Sequence, residues 1–468
     1  MLIASLAVMA IVTQDQAALR AAPRDSAQQQ AVLWQGESLE IRGEKADYLQ
    51  VYDHRLERGG YIRASQVRTT TLDEMDAPQL LSVVRFLRDA PGAESLGIAY
   101  AAAYLKAAPA KDISAEPFDA LGTMADRLAH QASVRQGKAS DPALAGHLDV
   151  VAGYGVTMQS FEHNGRMQLC YEGEAFRRVL ALPATDEQKA RAALALTRNE
   201  CVDPATPPAQ RVLLDKWRAD VLERATSTNL PDYMRNRLHM RRAGVWSAVA
   251  FEHARRGEPA VEAGSRALDE LAAVNKAELT DEDATPYTDA AVRVGATRWA
   301  TESVIAGASK GLHVATTAGQ PGETCVLLVD AQHDEKAPLL KRCTYGVVWT
   351  ASARANPGNT ALTLAVQPLD AWRELWVFRK QDDGWIADVV PPSADPDVGY
   401  VEFAGWVPGG KQMLAAREIR VDGRFKRSFE TINLGTLEVD RHADKPVALS
   451  AFYRWQDPAW KRITVSMR

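Results

Sequence analysis

Two changes of apolar rhythm constrain what this chain can fold into. From about residue 10 to residue 62 the apolar residues come in short pieces, Ala10–Thr13, Ala31–Leu33, Ser38–Ile41, Tyr48–Tyr52 and Tyr61–Ile62. Turn residues separate them at Pro23, Gly36, Gly43 and Gly59-Gly60. Such pieces alternate with a period of two, as half-buried strands do. From Ala77 to about Ala306 the spacing becomes three and four residues, as in LLSVVRFLRDA, GIAYAAAYLKAA and RVLLDKWRADVLERA. That is the spacing of helices with one buried stripe. After Gly311 strands and turns return, in CVLLVD, GVVWTASA, ALTLAVQP, ELWVFRK, GWIADVV, YVEFAGWV, QMLAAREI, SFETINL, ALSAFYRW and RITVSM. Thr69–Asp76 reads as a linker between the first two regions.

The three regions in 468 residues call for about three domains, and 46% hydrophobic content is enough for several cores. A net charge of −5 argues against general nucleic-acid binding, which needs a basic face. The opening run MLIASLAVMAIV is too short to span a bilayer. It has the length of a secretory hydrophobic region, with Val8-Met9-Ala10 as a small-residue cleavage site, so residues 1–10 read as a candidate signal peptide. No Lys or Arg precedes the run, and it equally leads into the first strand.

Cysteine usage bears on the compartment. Cys170 and Cys201 fall in the helical region, at expected helix ends, and Cys325 and Cys343 flank an expected hairpin. Local pairing within each region is the simplest of three connectivities; four buried free thiols are the alternative. No Cys-x-x-Cys or Cys-x-x-His spacing suits a metal, and no cofactor motif is present.

The first region carries Leu19-Arg20 followed by Pro23, Gly36 with Leu39, Tyr48 with Val51, and Gly60-Tyr61-Ile62. In these marks residues 11–68 resemble a bacterial SH3-like domain, with Tyr61 where such domains usually have Trp. The resemblance implies a small β-barrel over residues 11–70, common in exported envelope proteins, that binds wall peptide or glycan or serves as a spacer. Trp34, Tyr48, Tyr52 and Tyr61 are its candidate ligand-binding aromatics; two or three of them also suit its core.

In the second region Leu96-Gly97-x-x-Tyr100 and Ala260, Gly264, Ala267 and Leu268 are similar to tetratricopeptide helices, although no fixed period runs through it. The expectation for residues 77–310 is an all-α solenoid or bundle, a class that mostly binds proteins. One helix, DYMRNRLHMRRAGVWSAVAFEHARRG, places His239, Trp246 and His253 on one face. Without a third ligand at close spacing they read as structural. Its arginines Arg235, Arg237, Arg241, Arg242, Arg255 and Arg256 read as a salt-bridged face.

In the third region, 318–468, Trp349…Asn356-Pro357-Gly358 recurs as Trp406-Val407-Pro408-Gly409, each followed by a strand and an aromatic-rich second strand. The layout is similar to blades of WD-repeat or TolB-type propellers. The expectation is an antiparallel β region with blade-like repeats, its many tryptophans serving the core.

Gly307-Ala308-Ser309-Lys310-Gly311 fits the serine-hydrolase pattern, but a helix precedes the serine and a strand follows it, the reverse of the nucleophile elbow. No catalytic residue is therefore assigned. The sequence reads as an exported, periplasmic, non-enzymatic envelope protein that binds a wall peptide, glycan or protein. The alternatives are an enzyme with its site near Glu302 and Ser309 at the helix–β junction, and a cytosolic interaction scaffold with free thiols.

Overall fold

The computed structural model describes residues 8–134, 141–163, 165–302 and 311–461. Its course is an N-terminal antiparallel sheet, central helices and C-terminal sheets, in two compact units, Met1–Pro207 with Val221–Asn229 and Pro208–Asp220 with Leu230–Arg468.

The first unit opens with β1 (Met9–Val12), β2 (Ala17–Arg20), β3 (Gln29–Leu33), β4 (Ser38–Lys45), β5 (Tyr48–Asp53), β6 (Arg58–Arg63) and β7 (Val67–Thr70). They form one sheet in the order β3-β2-β6-β5-β4-β1-β7, every pair antiparallel. The sheet curls, because Leu33 of β3 and Ala10 and Val12 of β1, far apart in that order, share one core with Leu19, Leu39, Leu49, Val51 and Ile62. Its two ends, β3 and β7, are not paired with each other among the described residues. β2 and β7 were not expected from the sequence. Thr69 and Thr70, read as linker, pair with Ala10 and Met9.

Strand β1 has two apolar faces. Ala10 and Val12 point into the sheet's core, whereas Ile11 joins a core built by α1 (Ala77–Arg88), α2 (Glu94–Ala107), α3 (Glu116–Val134) and α4 (Pro142–Ala152). Tyr154 just beyond α4 donates its hydroxyl to the Gly36 carbonyl (2.6 Å). At Gly97 of α2 an added Cβ would lie 2.2 Å from Met124 Sδ of α3, so the bare backbone there seats the Met124 side chain. A hairpin of β8 (Met158–His163) and β9 (Arg166–Tyr171) then interrupts the helices, and α5 (Glu174–Ala181) and α6 (Asp186–Leu196) follow. The sequence reading had no strands here. Cys170 lies on β9, not at a helix end, and Cys201 closes a 3-10 turn at Asn199–Cys201.

Helix α7 (Pro208–Glu223) belongs to the second unit over Pro208–Asp220. There α8 (Asp232–Arg255), α9 (Val261–Ala272) and α10 (Ala284–Thr297) pack through Met240, Ala243, Ala267, Leu271, Ala290 and Val294. The opposite stripe of α10, Val292 and Ala296, meets Ala371, Val398 and Tyr400 of the β region. A helix apolar on two stripes is buried between two layers.

The β region begins with a three-stranded sheet, β10 (His313–Ala318), β11 (Thr324–Val329) and β12 (Leu340–Thr344). Two four-stranded antiparallel meanders follow. The first is β13 (Val347–Ala355), β14 (Ala361–Leu369), β15 (Trp372–Gln381) and β16 (Gly384–Val390). The second is β17 (Gly399–Trp406), β18 (Gln412–Val421), β19 (Arg424–Asn433) and β20 (Val439–Ala443). A short parallel contact at Trp372–Gly399 and Arg373–Tyr400 joins them. The segments read as a repeat are the first hairpin of each meander, Asn356-Pro357-Gly358 turning β13 into β14 and Val407-Pro408-Gly409 turning β17 into β18.

Alternation explains the stacking. Leu362, Leu364 and Val366 of β14 and Trp376 and Phe378 of β15 face Val326 and Leu328 of β11. Their intervening neighbours Ala361, Leu375 and Val377 face Val401, Phe403, Met413 and Ala415 of the second meander. The far side of that meander, Ala404, Leu414, Ala416 and Phe429, is covered by Phe452 and Trp460. Phe452 lies on α11 (Ser450–Trp455), a helix where ALSAFYRW had suggested a strand. RITVSM, from residue 462, lies outside the described residues.

Candidate functional site

Three of the four candidate aromatics share the outer face of β5 and β6. Tyr48, Gln50 and Tyr52 alternate with the buried Leu49 and Val51, and Gln50 faces Tyr61 across the ladder. Tyr48 is itself only 2% exposed. Its hydroxyl donates to Asp25 Oδ1 (2.6 Å), and the Arg63 guanidinium sits 5.2 Å from its ring. Arg63 also bonds Asp25 and Asp47, and together with Tyr48 it holds the Asp25 carboxyl below its ordinary range. Tyr52 is half-buried under Arg42, whose guanidinium lies 3.7 Å from the ring centroid, with His54 edge-on at 5.0 Å. Glu40 ties these flanks, bonding His54 (2.8 Å) and Arg42 (3.1 Å), and both pull its pKa down. Trp34 lies elsewhere. It packs against α4, edge-on to His147 at 6.5 Å, and His147 bonds Asp15 (2.8 Å). The tyrosines thus form one face with Gln50 and Arg63, and Trp34 does not join it.

The second unit contains a cleft of about 200 Å³ between α10 and the strands β17, β18 and β19. Tyr400, Glu418 and Arg427 stand in register across those three strands, on one face. Tyr287, Thr288 and Ala291 of α10 form the opposite wall, and Lys276 stands at a 3-10 turn, Lys276–Glu278. Arg427 Nε donates to Glu418 Oε1 (2.6 Å), and the Lys276 ammonium lies 5.3 Å from the Tyr287 ring. Thr288 donates its hydroxyl to the Ala284 carbonyl (2.9 Å). Two cations and one carboxylate, the latter paired with Arg427, therefore line a cleft that also carries two tyrosines. The lining suits a small ligand with an anionic group and an apolar body. It holds neither His nor Cys, and the Thr288 hydroxyl points its proton at a backbone carbonyl.

Sequence reasoning missed this cleft because its residues come from five separate elements and no local spacing links them. Strand alternation gives no signal either, since the basic residues Arg424 and Lys426 share one face of β19 and Arg427 lies on the other with Phe425.

All four cysteines are joined, Cys170 to Cys201 and Cys325 to Cys343. The second pair stands directly opposite in the β11–β12 ladder. Among the described residues Glu323, Cys325 and Cys343 are close enough to suggest a metal site, but the disulfide consumes both sulfurs. No helix among the described residues is long and apolar enough to cross a membrane. On α8, His239 bonds Glu270 (2.6 Å), Arg266 lies over the Trp246 ring (4.3 Å), and His253 bonds the Pro259 carbonyl (3.2 Å). Arg235, Arg237, Arg242, Arg255 and Arg256 each reach a carboxylate. At the helix–β junction Glu302 is exposed, and Ser309 lies outside the described residues.

No family model, curated protein or solved structure matches the chain.

Proposed function

We propose that this chain is an exported cell-envelope protein with a binding rather than a catalytic role, and that its ligand is a wall component. The observation that carries the proposal is the closure of all four cysteines into two disulfides. Structural disulfides persist in the periplasm and outside the cell and are rare in a reducing cytosol, which weighs against a scaffold with free thiols. The curled seven-stranded antiparallel sheet supports an SH3-like reading of residues 11–70. The small-residue contact at Gly97 supports repeat-like helix packing. Two successive meanders stacked face to face support blade-like repeats in the C-terminal region.

Recognition on this reading uses the Tyr52–Tyr61 face of the sheet and the cleft of Lys276 and Arg427. Wall peptides carry free carboxylates on short aliphatic bodies, the chemistry that this cleft's two cations and tyrosine walls suit. The test has two arms. Alkylation of the protein in its native cells, before and after reduction, should label no cysteine in the first case and four in the second. Calorimetric titration with soluble wall-peptide fragments should show binding that Lys276→Ala/Arg427→Ala weakens tenfold or more, about 1.4 kcal/mol. Four thiols alkylated without reduction, or no heat with any wall fragment, would sink the proposal.

A further inference from the structure

The buried charges of the second unit do not balance around Glu402. Arg298, on the 3-10 turn after α10, and Arg373 of β15 are 4% and 0% exposed, and both are directed at the one carboxylate of Glu402. Arg298 Nη2 is in contact with Glu402 Oε1, and Arg373 Nη2 lies 3.5 Å from it. Arg373 has a second anchor, since its Nη1 donates to the Gly295 (2.6 Å) and Ala296 (3.1 Å) carbonyls at the end of α10, where the helix dipole is negative. Burial still lowers Arg373 to about 10, so its charge is poorly compensated. Arg298 has no such anchor. Its Nε and Nη1 are buried without a hydrogen-bond partner, as is Nε1 of the neighbouring Trp299, whose ring lies 4.3 Å from the guanidinium. A buried donor left unmet carries its full desolvation penalty, and a charged one a larger penalty still.

Beside these donors is a cavity of about 20 Å³, lined by Arg298, Trp299, Ser352, Arg354, Glu402 and Asp457 with apolar neighbours. The volume admits one water or one monatomic ion. Asp457 Oδ1 takes the Ala459 and Trp460 amides and the Ser352 hydroxyl takes the Ala365 amide, while Glu402 Oε1 makes ion-pair contacts to the two arginines and no hydrogen bond. A water would bring two protons to a wall whose unmet buried acceptor, Glu402 Oε1, already faces two arginines, whereas a halide only accepts and also offsets the excess of two buried arginines over that one carboxylate.

We propose that this cavity is a structural halide site, occupied by chloride in the cell, with the Arg298 guanidinium as its principal ligand and Arg354 and the Trp299 indole at its wall. The site is independent of the wall-ligand cleft. The full chain, exchanged into sodium methanesulfonate, should show a melting temperature that rises by several degrees and saturates when chloride or bromide replaces methanesulfonate at constant ionic strength. Crystals grown in bromide should give an anomalous peak in the cavity. Arg298→Gln, which retains an amide donor but no charge, should abolish the halide dependence. If that variant does not fold, the bromide peak in the unsubstituted protein decides alone. A melting temperature indifferent to halide identity, with no anomalous peak, would overturn the site and leave a buried water in its place.

Discussion

The indole of Trp34 occupies the space that a side chain at Gly146 would need: a Cβ added there would lie 2.5 Å from Nε1 and 2.6 Å from Cδ1. The β3–β4 corner of the sheet and helix α4 meet through a ring on one side and bare backbone on the other. Gly146→Ala should therefore force the ring aside and cost about 1–3 kcal/mol, the usual range for overpacking a filled contact. Trp34→Ala should destabilise by cavity formation, and the double variant should cost less than the sum of the two. Urea unfolding of the four proteins measures the coupling. If Trp34 instead served the ligand, Trp34→Ala would weaken wall-fragment binding with stability unchanged.

The two bridges differ in the loop that they close, 31 residues for Cys170–Cys201 and 18 for Cys325–Cys343. Each pair replaced by serine should cost about 2–4 kcal/mol. Loop-closure entropy makes the Cys170–Cys201 loss the larger by about 0.5 kcal/mol. Calorimetric melting of the two double-serine variants, alongside the reduced protein, gives both values. Equal melting temperatures with and without reductant would contradict both.

Asp76 offers a pH prediction. Its carboxylate accepts from the Thr71 amide, the Thr70 hydroxyl and the Thr71 hydroxyl, each at 2.8 Å, and these bonds hold it below the ordinary value of 3.8. A depressed folded-state pKa adds stability above the unfolded value, and that stability is lost as pH falls through the folded one. Asp76→Asn should cost stability at pH 7 and make the acid limb of unfolding shallower. The carboxylate is only partly buried, so solvent screens it and the difference is expected to be small. A parallel pair of pH–stability curves would contradict the assignment.

What was legible in the sequence was whatever a single local pattern determines. β14 and β15 were visible as runs because both their faces are buried, Leu364 toward one sheet and Leu375 toward the other. The hairpin of β8 and β9 was missed because the helices on either side dominated the window, yet the Asn164-Gly165 dipeptide between Met158–His163 and Arg166–Tyr171 was the available signal, and Gly165 has φ +72°. ALSAFYRW looks strand-like in composition, but packing of Phe452 on Phe429 and Trp460 decides for a helix. The tyrosine face followed from alternation. The Lys276–Arg427 cleft and the Arg298–Glu402 pair did not, since tertiary packing alone brings those residues together.

The last prediction concerns a chain of charges in the second unit, Arg211–Asp370–Arg293–Asp289–Arg420–Asp397. Burial raises the carboxyl of Asp370, whose partners Arg211 and Arg293 lie 3.3 and 3.7 Å away and compensate incompletely. Burial acts on Asp289 in the same direction, but Arg293 at 2.7 Å outweighs it and holds that carboxyl low. The two aspartates therefore have opposite signs. A raised folded-state pKa contributes stability that is complete below the unfolded value and lost as pH rises through the folded one. A depressed pKa contributes stability that is lost as pH falls. Asp370→Asn should flatten the decline of stability on the rising-pH side, and Asp289→Asn should remove stability at neutral pH and flatten the acid side. Truncation is harsher in both cases. Asp289→Ala strips Arg293 of its close partner and should cost about 3–5 kcal/mol, as breaking buried ion pairs does. Urea titrations of the variants across pH check the signs, and two asparagine variants with the same pH dependence would refute the assignment.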